Sequence, residues 1–178
     1  MKSGEKQVKQ AATAIGANVK EKKLKDIKAG LEEITKKGGA IHNKSGLSDE
    51  MVEGIYSQAY VLYNTGKYKE ASQIFQMLLM LGPTTPKFSM GLAACFHMLK
   101  DYAAAVKIYT ILSLIDSKNP IPFYHASDCY LQMKDLLSAV MMLKMAVKAS
   151  GEKPEFRLLK ERSSMMIESL SKEIAEKK

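Results

Sequence analysis

The chain has 178 residues, enough for one domain and a tail, and 46% of them are hydrophobic. Aromatics are 7% and Trp is absent, so core volume must come from Leu, Ile, Met and Ala. The 27 basic residues against 19 acidic ones give a formal charge of +8, densest over residues 20–37. Acidic residues interleave there (Glu21, Asp26, Glu32, Glu33), the pattern of a solvated helix face and not of a phosphate-binding stripe. Nucleic acid is therefore not the expected partner. No apolar run of about 18 residues exists, so no membrane helix is expected. The first 20 residues lack the apolar segment of a secretory signal, and the two cysteines make no disulfide framework. A reducing compartment, the cytoplasm, fits both.

Residues 1–20 are polar, with Val8, Ile15 and Val19 as their only larger aliphatics, and are expected to be disordered. Residues 21–50 hold a short amphipathic helix and a linker. Leu24, Ile27, Leu31 and Ile34 recur at spacings of three and four, and Gly38-Gly39 ends the helix. One narrow apolar stripe on so short a helix needs a partner surface. The stripe can dimerise or fold back on the helices next in the chain. Ser48, followed by Asp49 and Glu50, reads as an N-cap with acids in the first turn.

From residue 51 a period of 34 governs the chain. Ala71, Ala105 and Ala139 mark it, with Tyr68, Tyr102 and Leu136 three positions before and Phe75, Tyr109 and Leu143 four after. Ala59, Ala93 and Ser127 lie twelve positions before. Small, aromatic and apolar residues in register at this interval are the tetratricopeptide pattern. The fold class is thus all-α, with three tandem tetratricopeptide repeats over 52–85, 86–119 and 120–153. In each, the small residue of the first helix should face the Ala of the second. A large residue at Ala105 would overpack that contact and cost about 1–3 kcal/mol. Residues 154–178 form a C-terminal capping helix carrying Phe156, Leu159, Met166, Ile167 and Leu170, with a charged far face.

Stacked helix pairs leave a concave groove lined by their first helices. Counting from Val52, Pro86 and Pro120 as position one, groove residues fall at positions two, five, nine and twelve on one helical face. Repeat one offers Glu53, Tyr56, Tyr60 and Tyr63; repeat two, Lys87, Met90, Ala94 and His97; repeat three, Ile121, Tyr124, Asp128 and Leu131. Tyr56, Tyr60 and Tyr63 read as surplus to packing, because Tyr68, Phe75 and Phe96 already supply the core's aromatics. Tyrosine combines apolar area with a polar tip and suits recognition. Either a ligand covers these three, or the N-terminal segment or a second copy of the chain does. A clamp for a peptide's terminal carboxylate needs Lys, Asn and Arg at set groove positions, where this chain has Tyr56, Tyr60 and Ile121. An apolar, extended ligand fits better.

Three stretches resemble one family, the class II chaperones of bacterial type III secretion, which hold translocator proteins. They are Lys37-Gly38-Gly39-Ala40-Ile41 after a short helix, Ile55-Tyr56-Ser57-Gln58-Ala59-Tyr60 with Tyr63 and Gly66-Lys67-Tyr68, and Pro122-Phe123-Tyr124-His125-Ala126-Ser127-Asp128-Cys129. The resemblance spans roughly residues 30–170. It implies a bacterial cytoplasmic chaperone that binds an extended segment of a secreted, hydrophobic translocator in the groove, keeping it soluble and apart before export. It also implies a homodimer replaced by a one-to-one complex, and in several members an association with regulators of transcription. Tyr56, Tyr60 and Tyr63 match the family's peptide-contacting positions. The basic net charge departs from the family, which is usually acidic.

No catalytic or cofactor motif is present: no Gly-rich phosphate loop, nucleophile motif or paired carboxylates. His125 and Cys129 share a helix face, with Cys95 and His97 on the neighbouring helix, but no C-x-x-C supports a metal site. Cys95 and Cys129 are 34 apart and read as equivalent buried residues, and His125 as a packed histidine with a hydrogen-bond partner. The rival to a chaperone is an adaptor joining other proteins through its convex face or its N-terminal helix.

Overall fold

Seven α-helices and one short 3-10 turn follow one another in a computed structural model that describes residues 47–83 and 85–176. They are α1 (Asp49–Asn64), α2 (Tyr68–Leu81), α3 (Pro86–Met98), α4 (Tyr102–Ile115), α5 (Pro120–Gln132), α6 (Leu136–Ser150), a 3-10 turn (Pro154–Phe156) and α7 (Arg157–Glu176). The expected tail, the helix carrying Leu24, Ile27, Leu31 and Ile34, and the stretch 37–41 lie outside the described residues.

Each helix starts and stops for a local reason. The Ser48 hydroxyl accepts from the Met51 N–H at 3.2 Å and caps α1. Asp101 and Asp135 do the same for α4 and α6, accepting from Ala104 and Ser138 at 3.1 and 3.0 Å. The three turns inside the pairs share one hydrogen-bond pattern. Lys67, Asp101 and Asp135 each donate a backbone N–H to the carbonyl five residues back, at Leu62, Phe96 and Tyr130. That closure needs a left-handed residue one place earlier. Gly66 supplies it in the first pair (φ 80°), but Lys100 (64°) and Lys134 (61°) supply it in the others. The segment from Pro154 departs from a single helix. Lys153 offers no capping side chain, and Phe156 donates instead to the Lys153 carbonyl at 3.0 Å, so the first turn is 3-10.

Small residues set the closeness of the pairs. Ala59, Ala71, Ala93, Ala105, Ser127 and Ala139 are all fully buried. Phe75, Tyr109 and Leu143, in register on the second helices, fill the layer above. One core cluster joins Ala59, Ala71, Phe75 and Leu78 to Phe88, Leu92 and Cys95 of the next pair. The next joins Ala93, Ala105, Val106, Tyr109 and Leu112 to Ala126 and Cys129. Gly91 is what lets α3 lie over the Phe75 ring, since a Cβ there would collide with three of its carbons. Consecutive helices pack in chain order throughout. In addition α1 touches α3 and α5 touches α7, whereas no two second helices approach as closely. Closer approach of first helices than of second helices is what a tetratricopeptide stack with its first helices on the concave side requires.

Candidate functional site

The residues expected on the groove lie on the first helices, and none of them is buried. They are joined across repeats. Lys87 pairs with Glu53, the equivalent position one repeat earlier, and its ammonium also lies 4.6 Å from the centre of the Tyr56 ring. His97 Nε2 lies 2.8 Å from Asp128 Oδ2, joining repeat two to repeat three. The Lys87–Glu53 ion pair and the His97–Asp128 contact thus span neighbouring first helices, leaving apolar and aromatic side chains between them.

The three tyrosines are not equivalent. Tyr56 and Tyr63 are half-buried and pack against the first core cluster. The Tyr56 ring meets Phe75 edge-on at 6.0 Å and Phe88 at 5.9 Å, and Tyr63 meets Tyr68 edge-on at 5.4 Å. They are not surplus to packing, as their positions suggested. A tyrosine at a groove position is long enough to lean into the gap between helix pairs, and its helical face does not reveal this. Burial pushes the Tyr63 phenol up, with Cys95, Tyr68 and Tyr60 adding to the shift. Tyr60 alone stands clear, 53% exposed and stacked on Tyr56 with ring centres 6.4 Å apart. The result is a paved platform: Tyr56 held by the core, and Tyr60 lying on it and exposed.

Repeats two and three continue the surface with Met90, Ala94, Ile121, Tyr124 and Leu131, all partly exposed. Behind them, His125 is stacked on Tyr109 at 5.4 Å and lies 6.5 Å from the His97 ring. Burial and the neighbouring His97 lower its pKa, opposed by Asp128. The expected hydrogen-bond partner of His125 is missing among the described residues; ring contacts hold it instead. Cys95 and Cys129 are fully buried free thiols. Burial pushes them to about 11 and about 12. Protonated, buried thiols are poor metal ligands, and no three His, Cys, Asp or Glu side chains cluster as metal ligands among the described residues. None of the described helices is long and apolar enough to cross a membrane.

Helix pairs with such a groove define a tetratricopeptide-repeat binding protein, and the Tetratricopeptide repeat family model matches residues 52–83 and 86–119. Low calcium response locus protein H of Yersinia pseudotuberculosis is 34% identical over 140 residues, 79% of this chain and 83% of that protein. The Yersinia enterocolitica type III secretion chaperone SycD, solved with a peptide of the translocator YopD, superposes with a TM-score of 0.68 at 34% identity. That match covers 72% of this chain and 98% of SycD. PcrH, a Pseudomonas aeruginosa protein solved with the chaperone-binding region of PopD, gives a TM-score of 0.68 at 31% identity, covering 72% of this chain and 96% of its own. SycD has also been solved in an alternative dimer. The chain belongs to the class II, tetratricopeptide-repeat chaperones of type III secretion.

Proposed function

We propose that this protein is a cytoplasmic chaperone that holds an extended, largely apolar segment of a secreted translocator in its concave groove, by contact alone and without turnover. The observation that carries this is the Tyr56–Tyr60 stack on the first helix, with Tyr60 exposed and the Lys87–Glu53 pair beside it. Relatives of about one-third identity have been solved with translocator segments, which supports the same use here. The contacts are Tyr56, Tyr60, Tyr63, Lys87, Met90, Ala94, His97, Tyr124, Asp128 and Leu131. Tyr60 supplies open aromatic area, and Met90 supplies a side chain that adapts to different ligand residues. Ordering a disordered segment offsets several kcal/mol of that contact energy, so affinity is moderate and release before export is accessible. The domain plan is a tail (1–20), an amphipathic helix and linker (21–50), three repeats (51–153) and a cap (154–178). In it the stripe Leu24, Ile27, Leu31 and Ile34 serves dimerisation or folds back on the first repeat.

Tyr60→Glu tests the groove. It is expected to abolish co-purification with the translocator while far-ultraviolet circular dichroism stays helical. A folded variant that still binds removes the groove from the mechanism. A pull-down from the native cell, read by mass spectrometry, identifies the client.

One observation favours a second role. Met77, Ile111 and Met145 recur at 34-residue intervals on the second helices, all exposed, with Met80 and Leu114 beside them. This apolar stripe runs over three helices of the convex face and suits an adaptor contact, such as one with a regulatory protein. A groove that binds no peptide, with a partner lost on Ile111→Ser, would establish that role instead.

A further inference from the structure

The 34-residue register does not stop at α6. Pro86, Pro120 and Pro154 open successive segments at that interval. The fully buried Cys95 and Cys129 pack on the preceding pair's core, and at the same interval Ser163 of α7 is also fully buried. Val61, their equivalent in α1, is 53% exposed, with no helix before it among the described residues. Helix α7 packs on α6 and touches α5, as a first helix of a further pair would.

That placement sorts its surface. The side where a second helix would pack carries Arg157, Glu161, Ser164 and Glu168, all exposed and polar, as a cap requires. The groove side is different. Leu158 occupies the register of Tyr56, Met90 and Tyr124; Arg162 that of Tyr60, Ala94 and Asp128; Met165 that of Tyr63, His97 and Leu131. Leu158 and Met165 are 72% and 73% exposed, the most exposed large apolar side chains among the described residues. The Arg162 guanidinium carbon lies 5.9 Å from the centre of the Tyr124 ring, so this face runs directly into the groove surface of repeat three. Lys87 and His97 in the groove already have carboxylate partners, whereas Arg162 has none among the described residues.

We infer that α7 is a fourth concave helix, and that the client segment held by repeats one to three continues over it. An apolar side chain of the client sits between Leu158 and Met165, and a carboxylate of the client pairs with Arg162. This rests on the reading of the groove as the client site. One extended chain suits the surface better than a separate partner, because Tyr124 and Arg162 leave no break between the two parts. The axes of touching helices are about 10 Å apart, a step that about three extended residues cover. The α7 anchor should therefore follow the Tyr124 anchor at about that spacing.

The test uses the full chain and labelled synthetic peptides spanning the chaperone-binding region of PopD, whole and trimmed from each end. Leu158→Ser combined with Met165→Ser is expected to weaken the whole region about tenfold, with unchanged melting because both side chains are exposed. Peptides trimmed from the end over α7 should bind wild type and variant alike. Arg162→Glu should weaken the whole region, and a Glu→Lys or Asp→Lys exchange at that end of the peptide should restore it. Unchanged affinity of the double variant, with binding lost in Tyr60→Glu, overturns the α7 extension and leaves the groove standing. Binding retained by Tyr60→Glu overturns the groove reading itself. A change in mass by light scattering with unchanged peptide affinity assigns the α7 face to a second copy, and overturns the inference.

Discussion

His97 on α3 and Asp128 on α5 meet at 2.8 Å, Nε2 to Oδ2, and the His97 ring lies 6.5 Å from the half-buried ring of His125. The groups facing His125 are Tyr109 from α4, His97 from α3, and Tyr124 and Asp128 on its own helix. Burial, then His97, disfavour its protonated form, and Asp128 offsets part of this. The unfolded chain thus takes up a proton at His125 more readily than the folded one does. Stability contributed by the neutral ring is present above the ordinary value of 6.5 and is lost as pH falls below it toward the lowered folded value. Urea midpoints of wild type and His125→Gln, measured between neutral and mildly acid pH, should converge as pH falls. A constant difference between the two would show that His125 does not carry the effect.

The period of 34 made the fold legible because tetratricopeptide packing is local. Each helix needs only its neighbours, so Ala59 and Ala71 report the same close approach that Ala93 and Ala105 do. Helix ends at Asn64 and Leu81 follow from Thr65-Gly66 and Gly82-Pro83 for the same reason. The helical face shared by the expected groove residues was legible, but the depth of each side chain on it was not. Tyr56 and Tyr63 reach the core because Phe75 and Phe88 leave room beside them, a fact of tertiary packing. The register of Leu158 and Met165 carried a signal in the same period, one repeat beyond Tyr124 and Leu131. The capping Asp101 and Asp135 were also readable, as Asp residues three places before the Ala104 and Ser138 amides they receive.

The buried cysteines give a probe of opening. Burial holds Cys95 at about 11 and Cys129 at about 12, so neither carries appreciable thiolate at mildly alkaline pH, and both are closed to solvent. A colorimetric disulfide reagent at pH about 8, near the ordinary thiol range, should label neither thiol in the native protein and both in urea. The labelling rate should follow the unfolding equilibrium, and a ligand in the groove should slow it by mass action. Fast labelling of one thiol in the native state would show that its helix pair opens separately.

Lys100 and Lys134 hold the left-handed turn that Gly66 holds in the first repeat, at φ 64° and 61° against 80°. A side chain there brings its Cβ close to the following carbonyl, at a cost of about 1–2 kcal/mol that glycine does not incur. Both lysines are exposed, and no ion pair or cap depends on either among the described residues. Glycine also widens the unfolded ensemble and takes back part of the gain. Lys100→Gly and Lys134→Gly should each raise stability by about 0.5–1 kcal/mol, read from urea midpoints at constant slope. The two sites are one full repeat apart and share no partner, so the double variant should show the sum. Each change also removes a positive charge from the rim next to the groove helices. Unchanged affinity for a translocator peptide would then separate the stability of the repeats from recognition in the groove. A destabilised Lys100→Gly would show instead that the lysine stem contributes packing that the turn geometry alone does not reveal.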